Sequence, residues 1–106
     1  AEDAVARTYL DQGYQVVRQR WRCDFGEIDL ILRHGDDYIF VEVKKSHSFH
    51  NAAARISRRQ QDRIFAAASQ FVSELPQGQL TPMRFDAAFV NGFGQIDIRK
   101  NALFVC

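Results

Sequence analysis

Two cysteines in 106 residues are too few for a disulfide framework. Cys23 and Cys106 also show no metal-ligand spacing with each other or with His34, His47 and His50, so a zinc centre is equally unsupported. No apolar run approaches the roughly 20 residues of a membrane-crossing helix, and the first residues lack the basic-then-apolar order of a secretion signal. The expected setting is cytoplasmic, away from membranes. The chain starts at Ala1 rather than Met, as a processed or trimmed chain would. An excess of one charge sign is missing as well, since 14 Lys and Arg stand against 13 Asp and Glu for a net charge of +1. The cations are nevertheless gathered, ten of them between Arg18 and Arg63. Such a block suits a polyanion partner, because Lys and Arg replace counterions along a phosphate backbone; taken singly, each also reads as solvated surface. The length and a hydrophobic fraction of 46% fit one domain spanning residues 1–106.

That basic block contains a hairpin on which the rest of the reading depends. Residues 26–33 and 38–44 are rich in branched and aromatic side chains, and His34-Gly35-Asp36-Asp37 supplies the turn between them. A turn centred on Gly35-Asp36 sets Asp29 opposite Glu42 and Glu27 opposite Lys44. Opposed Cβ atoms lie roughly 4.5–5.5 Å apart on one face, where like charges repel. Strict alternation gives an apolar face of Ile28, Leu30 and Leu32 against Ile39, Val41 and Val43. The other face sets Glu27, Asp29 and Ile31 against Phe40, Glu42 and Lys44. Ile31 and Phe40 partly cover the acids, and two carboxylates in a low dielectric call for a shared proton, a basic partner or a divalent cation. Mg²⁺ and Mn²⁺ are the cations that choose such oxygen donors. The competing reading is a polar sheet face whose acids pair with Lys44 and nearby arginines.

The remaining elements follow from changes of period. Residues 2–12 read as a helix with Ala6, Tyr9 and Leu10 as its stripe and Gly13 at its end. Asp3 and Glu2 each continue part of that stripe, so either acid can point inward; both also suit the positive end of the helix dipole. From Tyr14 a period of two carries a strand to about Arg20. Its end, Arg18-Gln19-Arg20-Trp21-Arg22, either holds phosphates and stacks on a base or uses Trp21 to cover a sheet edge. Residues 45–51 predict a mobile loop beside the acids, with His47 and His50 as loop residues or phosphate contacts. The clearest helical stripe is Gln60, Ile64, Ala67, Ala68, Phe71, Val72 and Leu75, closed by Pro76-Gln77-Gly78. Ser57 and Gln60 fit a capping box, favoured over contact of Gln60 with the acid-bearing face. Strands at 81–90 and 95–99, joined by Asn91-Gly92-Phe93-Gly94, complete the order α-β-β-β-α-β-β. Arg84 and Asp86 share a face and should pair, and Leu103 and Phe104 should dock on the core or on a second copy. The expected fold class is α/β, a mixed five-stranded sheet flanked by helices.

Gly26-Glu27-Ile28-Asp29-Leu30-Ile31 followed by Phe40-Val41-Glu42-Val43-Lys44 resembles the PD-(D/E)xK nuclease core, in which Asp and Glu-x-Lys lie on adjacent strands. More narrowly, the chain resembles the YraN-type bacterial family, whose fold is similar to archaeal Holliday-junction resolvases. Ala6-x-x-Tyr9-Leu10, Gly13-Tyr14, Arg84-Phe85-Asp86 and Asn101-Ala102 extend the likeness over nearly the whole chain. The resemblance implies a restriction-endonuclease-like core and a divalent metal, Mg²⁺ or Mn²⁺, held by Asp29 and Glu42 with the Val43 carbonyl as third ligand. It also implies Lys44 near the attacking water and an acid from the first helix, Asp3 by spacing and Glu2 as second choice. The family commonly has Glu at the first-helix acid and Lys where this chain has Gln60. A shorter acid reaches a metal through water, and the missing Lys removes one phosphate-facing charge.

A metal at this place binds a phosphate oxygen and acidifies its bound water. Lys44, two residues beyond Glu42 and on the same face, orients that water or stabilises charge growing on the phosphate. No Ser or Cys has a base at a recognisable spacing. The expected function is a metal-dependent, structure-selective DNA endonuclease, with DNA, branched or unbranched, or RNA as the expected partner. Arg18, Arg20, Arg22, Lys45, Arg55, Arg58 and Arg59 would lie along the nucleic acid, and Glu2, Glu27 and Gln60 would support the site. A nucleic-acid-binding module with weak or no catalysis and a ribonuclease are the rival readings. Resolvase-like relatives imply a homodimer.

Overall fold

A hairpin with apolar side chains on both faces needs cover on both sides, and among the described residues one helix packs on each face. The computed structural model describes residues 1–45 and 56–103. Helix α1 (Glu2–Asp11) precedes strands β1 (Gln15–Cys23), β2 (Gly26–His34) and β3 (Asp37–Lys45). Helix α2 (Arg58–Val72) follows, then a short 3₁₀ turn (Gly78–Leu80) and strands β4 (Met83–Val90) and β5 (Ile96–Arg99). The strands lie in chain order in one sheet, with β3 and β4 parallel and the other neighbours antiparallel. This is the mixed α/β sheet, in the order α-β-β-β-α-β-β, that the sequence predicts. Lys45 closes β3; the rest of the expected loop with His47 and His50, together with Arg55 and Phe104, lies outside the described residues.

Alternation along the strands separates two apolar layers. Val5, Ala6 and Tyr9 of α1 pack on Leu30, Leu32, Ile39 and Val41. Ala67, Ala68, Phe71 and Val72 of α2 pack on Ile28, Ile31 and Phe40, while Ile64 joins Ala87, Phe89 and Leu103. The two-residue turn gives β2 and β3 the expected register, from Leu30 opposite Val41 to His34 opposite Asp37. Gly35 there has φ +62, a conformation that favours a residue without Cβ. At the start of α2, Ser57 Oγ accepts the Gln60 N–H at 3.2 Å and Gln60 Oε1 accepts the Ser57 N–H at 3.1 Å. The predicted capping box is therefore complete. Among the described residues, no helix is long and apolar enough to cross a membrane.

One departure from the simple pattern lies close to the acids. β1 continues to Cys23, past the end expected near Arg20, and Arg20 itself has φ +52. A bulge interrupts the ladder between Val16 and Arg18. Beyond Arg20 the alternation changes side. Gln19 opposes Leu30 of the α1 layer, whereas Trp21 opposes Ile28, which packs beneath α2. Ile28 therefore does not share a face with Leu30 and Leu32 as strict alternation predicts. A left-handed residue turns the chain out of the pleat, and an arginine gives no sign of it in the sequence. Trp21 covers the edge strand, its ring edge-on to Phe71 at 5.2 Å, and does not stand free for a base.

On the α1 side, β4 carries a buried polar cluster. Asp86 is 0% exposed and accepts hydrogen bonds from Tyr9 Oη at 2.8 Å, from Arg84 at 2.8 and 2.9 Å, and from the Asn101 N–H at 2.8 Å. Arg84 also donates to Tyr14 Oη at 3.0 Å. The expected Arg84–Asp86 pair is present, within a larger network than the sequence indicates.

Candidate functional site

Asp29 owes its role to the point where the hairpin ladder stops. Backbone pairing between β2 and β3 reaches Leu30 and Val41. One step further, where Asp29 and Glu42 come opposite, the Asp29 carboxylate accepts the Val43 N–H at 2.8 Å. A side chain has taken the place of a main-chain acceptor. A cavity of about 230 Å³ lies here, lined from the sheet by Phe25, Gly26, Glu27, Asp29 and Glu42 and from the start of α2 by Gln60, Arg63 and Ile64. Docking of α2 through Ile64, Ala67 and Ala68 thus brings its polar first turns over the two acids.

Burial pushes the Glu42 carboxyl up to about 8, and hydrogen bonding to Asp29 and repulsion from it add to the rise. Lys44 and Arg63 act in the opposite direction without cancelling it. At Glu42, burial and Asp29 thus outweigh the pull of Lys44 and Arg63. Two carboxylates in one cavity behave as a coupled pair, in which the proximity of Asp29 favours the neutral form of Glu42.

The remaining predicted residues divide into those at the cavity and those away from it. Glu27 lines it and forms an ion pair with Arg22 at 3.1 Å. Gln60 lines it while its oxygen serves the cap, so both uses apply. Lys44 is half-buried and near enough for its charge to act on Glu42. Asp3 is exposed and lines a separate depression with Arg7, Asp11 and Ile96, so the structure does not bring it to the acid pair. Glu2 also lies outside the cavity. It meets Arg20 at 3.4 Å, and backbone hydrogen bonding together with Arg20 holds its carboxyl below the usual range. The physical reason is shared, since α1 packs on the Leu30 layer while the cavity opens toward α2.

Among the expected nucleic-acid contacts, Arg18, Lys45 and Arg59 are exposed. Arg20, Arg22 and Arg58 are paired with Glu2, Glu27 and Asp62. Exposed pairs of this kind are worth about 0–1 kcal/mol, little enough for a phosphate to exchange with the carboxylate. Four cavity residues, Phe25, Gly26, Arg63 and Ile64, are absent from the sequence-based set. Arg63 has a signal, because it stands three residues after Gln60 and shares its helix face. Phe25 has none beyond preceding a turn glycine.

Among the described residues, no three His, Cys, Asp or Glu side chains converge to hold a metal. A hard divalent cation does not require three. Mg²⁺ retains several waters and binds through one or two carboxylates together with substrate phosphate oxygens. The donor set at Asp29 and Glu42 is all oxygen, and a cation there would take the place of the proton that burial and Asp29 favour on Glu42. The residues present fit such an ion.

Comparison with known proteins places this chain in a family. The profile of the uncharacterised protein family UPF0102 matches residues 1–90. A UPF0102 protein of Ruegeria pomeroyi is 54% identical over 102 residues, covering 96% of this chain and 83% of that protein. One from Cereibacter sphaeroides is 56% identical over 102 residues, with coverage of 96% and 87%. Another, from Dinoroseobacter shibae, is 43% identical over 101 residues, with coverage of 95% and 75%. The matched region runs from α1 to the end of β4 and contains every residue lining the acid cavity, and the chain belongs to the YraN-like uncharacterised protein family UPF0102.

Proposed function

We propose that the chain is a metal-dependent nuclease of PD-(D/E)xK type that hydrolyses DNA phosphodiesters and selects its substrate by structure. The observation that carries this reading is the cavity shared by Asp29 and Glu42, in which Glu42 is held up to about 8 by burial and by Asp29. In this reading Asp29, Glu42 and the Val43 carbonyl hold Mg²⁺ or Mn²⁺. Asp3 is left out of the set because it lines a different depression. The ion, when bound, supplies a water acidified toward neutral pH and positive charge for a phosphate oxygen.

The chain's own side chains supply position and charge. The Val43 N–H fixes one Asp29 oxygen at 2.8 Å, which gives the carboxylate a set orientation. Lys44 orients the attacking water and meets the charge that grows on the phosphate as the water oxygen bonds to phosphorus and the P–O ester bond breaks. Arg18, Lys45 and Arg59 supply the exposed positive charge that attracts a phosphate backbone.

The test is a labelled panel of four-way junction, flap, single strand, duplex and RNA, incubated with Mn²⁺, Mg²⁺ or EDTA and with wild type or Asp29→Ala. Cutting of DNA that needs the ion and disappears in Asp29→Ala is the expected result. No cutting of any substrate with either ion overturns the proposal, and salt-sensitive retention of DNA in that case identifies a binding module. Cutting confined to RNA makes the protein a ribonuclease.

A further inference from the structure

The two cavity walls that the acids leave over differ in chemistry from the rest. Phe25 stands at the mouth, 49% exposed, in the tight turn between β1 and β2. Among the described residues it belongs to none of the buried core clusters. A half-exposed ring beside two carboxylates thus has no packing task that accounts for its position. Arg63 lines the same cavity from α2 and forms no ion pair among the described residues. An unpaired guanidinium is well suited to a phosphate, which it meets with two parallel N–H donors.

Size then separates the parts of a nucleotide. At about 230 Å³ the cavity is smaller than the roughly 300–1,000 Å³ of sites that enclose whole small-molecule ligands. It accommodates a phosphate with a hydrated ion, and the sugar and base attached to that phosphate remain at the rim. The rim is where Phe25 stands. A base inside a duplex has both faces covered by its neighbours, so a phenyl ring can stack only on a base that has left the helix.

We infer that Phe25 and Arg63 make this site a reader of unpaired nucleotides, with Arg63 on a backbone phosphate and Phe25 stacked on the unstacked base. The inference rests on the nuclease reading and narrows its substrate to strands with accessible bases, such as single-stranded arms and the open centres of branched DNA.

Binding measured in EDTA, where no cutting interferes, tests it separately from catalysis. Fluorescence anisotropy would compare a labelled single strand, the same strand carrying a run of abasic analogues, and the matching duplex. Wild type is expected to hold the single strand most tightly. Phe25→Ala should weaken the single strand about tenfold, in line with the loss of one base–aromatic stack, and leave the abasic strand and the duplex unchanged. Phe25→Trp should retain single-strand affinity. Arg63→Ala should weaken all three and lower the dependence of log K on log salt by about one. Equal losses on all three ligands with Phe25→Ala, or none on any, overturn the inference, and metal-dependent cutting by wild type would still leave the nuclease reading standing. Absence of both binding and cutting removes the two together.

Discussion

Glu42 sets the pH response of the molecule at the scale of one residue. Its ordinary value near 4.5 applies in the unfolded chain, and in the folded chain burial and Asp29 raise it to about 8. Between those values the native state keeps a proton that the unfolded state has lost, so stability falls as pH rises through that window and changes no further above it. Urea unfolding in EDTA should show a lower midpoint at pH 8.5 than at pH 5.5, and Glu42→Gln should remove most of that difference. Adding Mg²⁺ at pH 8.5 should raise the wild-type midpoint and leave the Glu42→Gln midpoint nearly unchanged, because an ion that binds only the folded site stabilises it. That Asp29 and Glu42 share one cavity is legible in the sequence because a two-residue turn leaves the hairpin no slack in register, whereas Lys44 is not among the residues lining that cavity. Ile28 is not legible in the same way. Its side depends on the left-handed Arg20 across the ladder, and nothing about an arginine announces that conformation.

At the scale of the element, α2 carries the site, because it supplies one wall of the cavity and buries its apolar stripe beside it. Its period of 3.6 and its capping box can be read directly from residues 57–75. Its docking partner cannot, since the contact joins the helix to residues of three strands, Trp21 of β1, Ile28 and Ile31 of β2 and Phe40 of β3, brought together only by the sheet. Phe71 is the centre of that contact, edge-on to Trp21 at 5.2 Å and to Phe40 at 6.0 Å. Phe71→Ala should cost about 3–5 kcal/mol in urea unfolding. Trp21 is the sole tryptophan, so its emission in the folded variant should shift to the red as water reaches the vacated space. Ser57→Ala removes only the cap, and a loss of about 1 kcal/mol is expected, with Trp21 emission unchanged. A red shift in Ser57→Ala as well would mean that the cap, and not the Phe71 contact alone, holds α2 against the sheet. Gln60 and Arg63 become cavity walls only through this docking, so the sequence shows Arg63 as one cation of the basic block and not as a neighbour of the acids.

Across the whole molecule, the Asp86 cluster ties the ends of the chain to the middle of the sheet. Tyr9 comes from α1, Tyr14 from the turn into β1, Arg84 and Asp86 from β4, and Asn101 from the segment after β5. The Arg84–Asp86 pair is legible, because residues two apart on a strand share a face. Tyr9, 77 residues away, is not, since only tertiary packing brings its hydroxyl to the carboxylate. Burial and Asp86 hold that hydroxyl protonated far above the usual tyrosine range, and hydrogen bonding to Asp86 leads a similar upward shift of the Arg84 guanidinium. Asp86→Ala would strand the Arg84 charge beside Tyr14 and leave the Tyr9 hydroxyl and the Asn101 N–H without their acceptor. Breaking one side of a buried pair costs about 3–5 kcal/mol, a large part of the 5–15 kcal/mol that holds a typical domain folded. The double variant Arg84→Met with Asp86→Ala removes the stranded charge, so its urea midpoint should lie above that of Asp86→Ala alone. A double variant less stable than Asp86→Ala would show that Arg84 contributes through Tyr14 rather than through Asp86, and would transfer the anchoring of α1 to Tyr14 instead of the carboxylate.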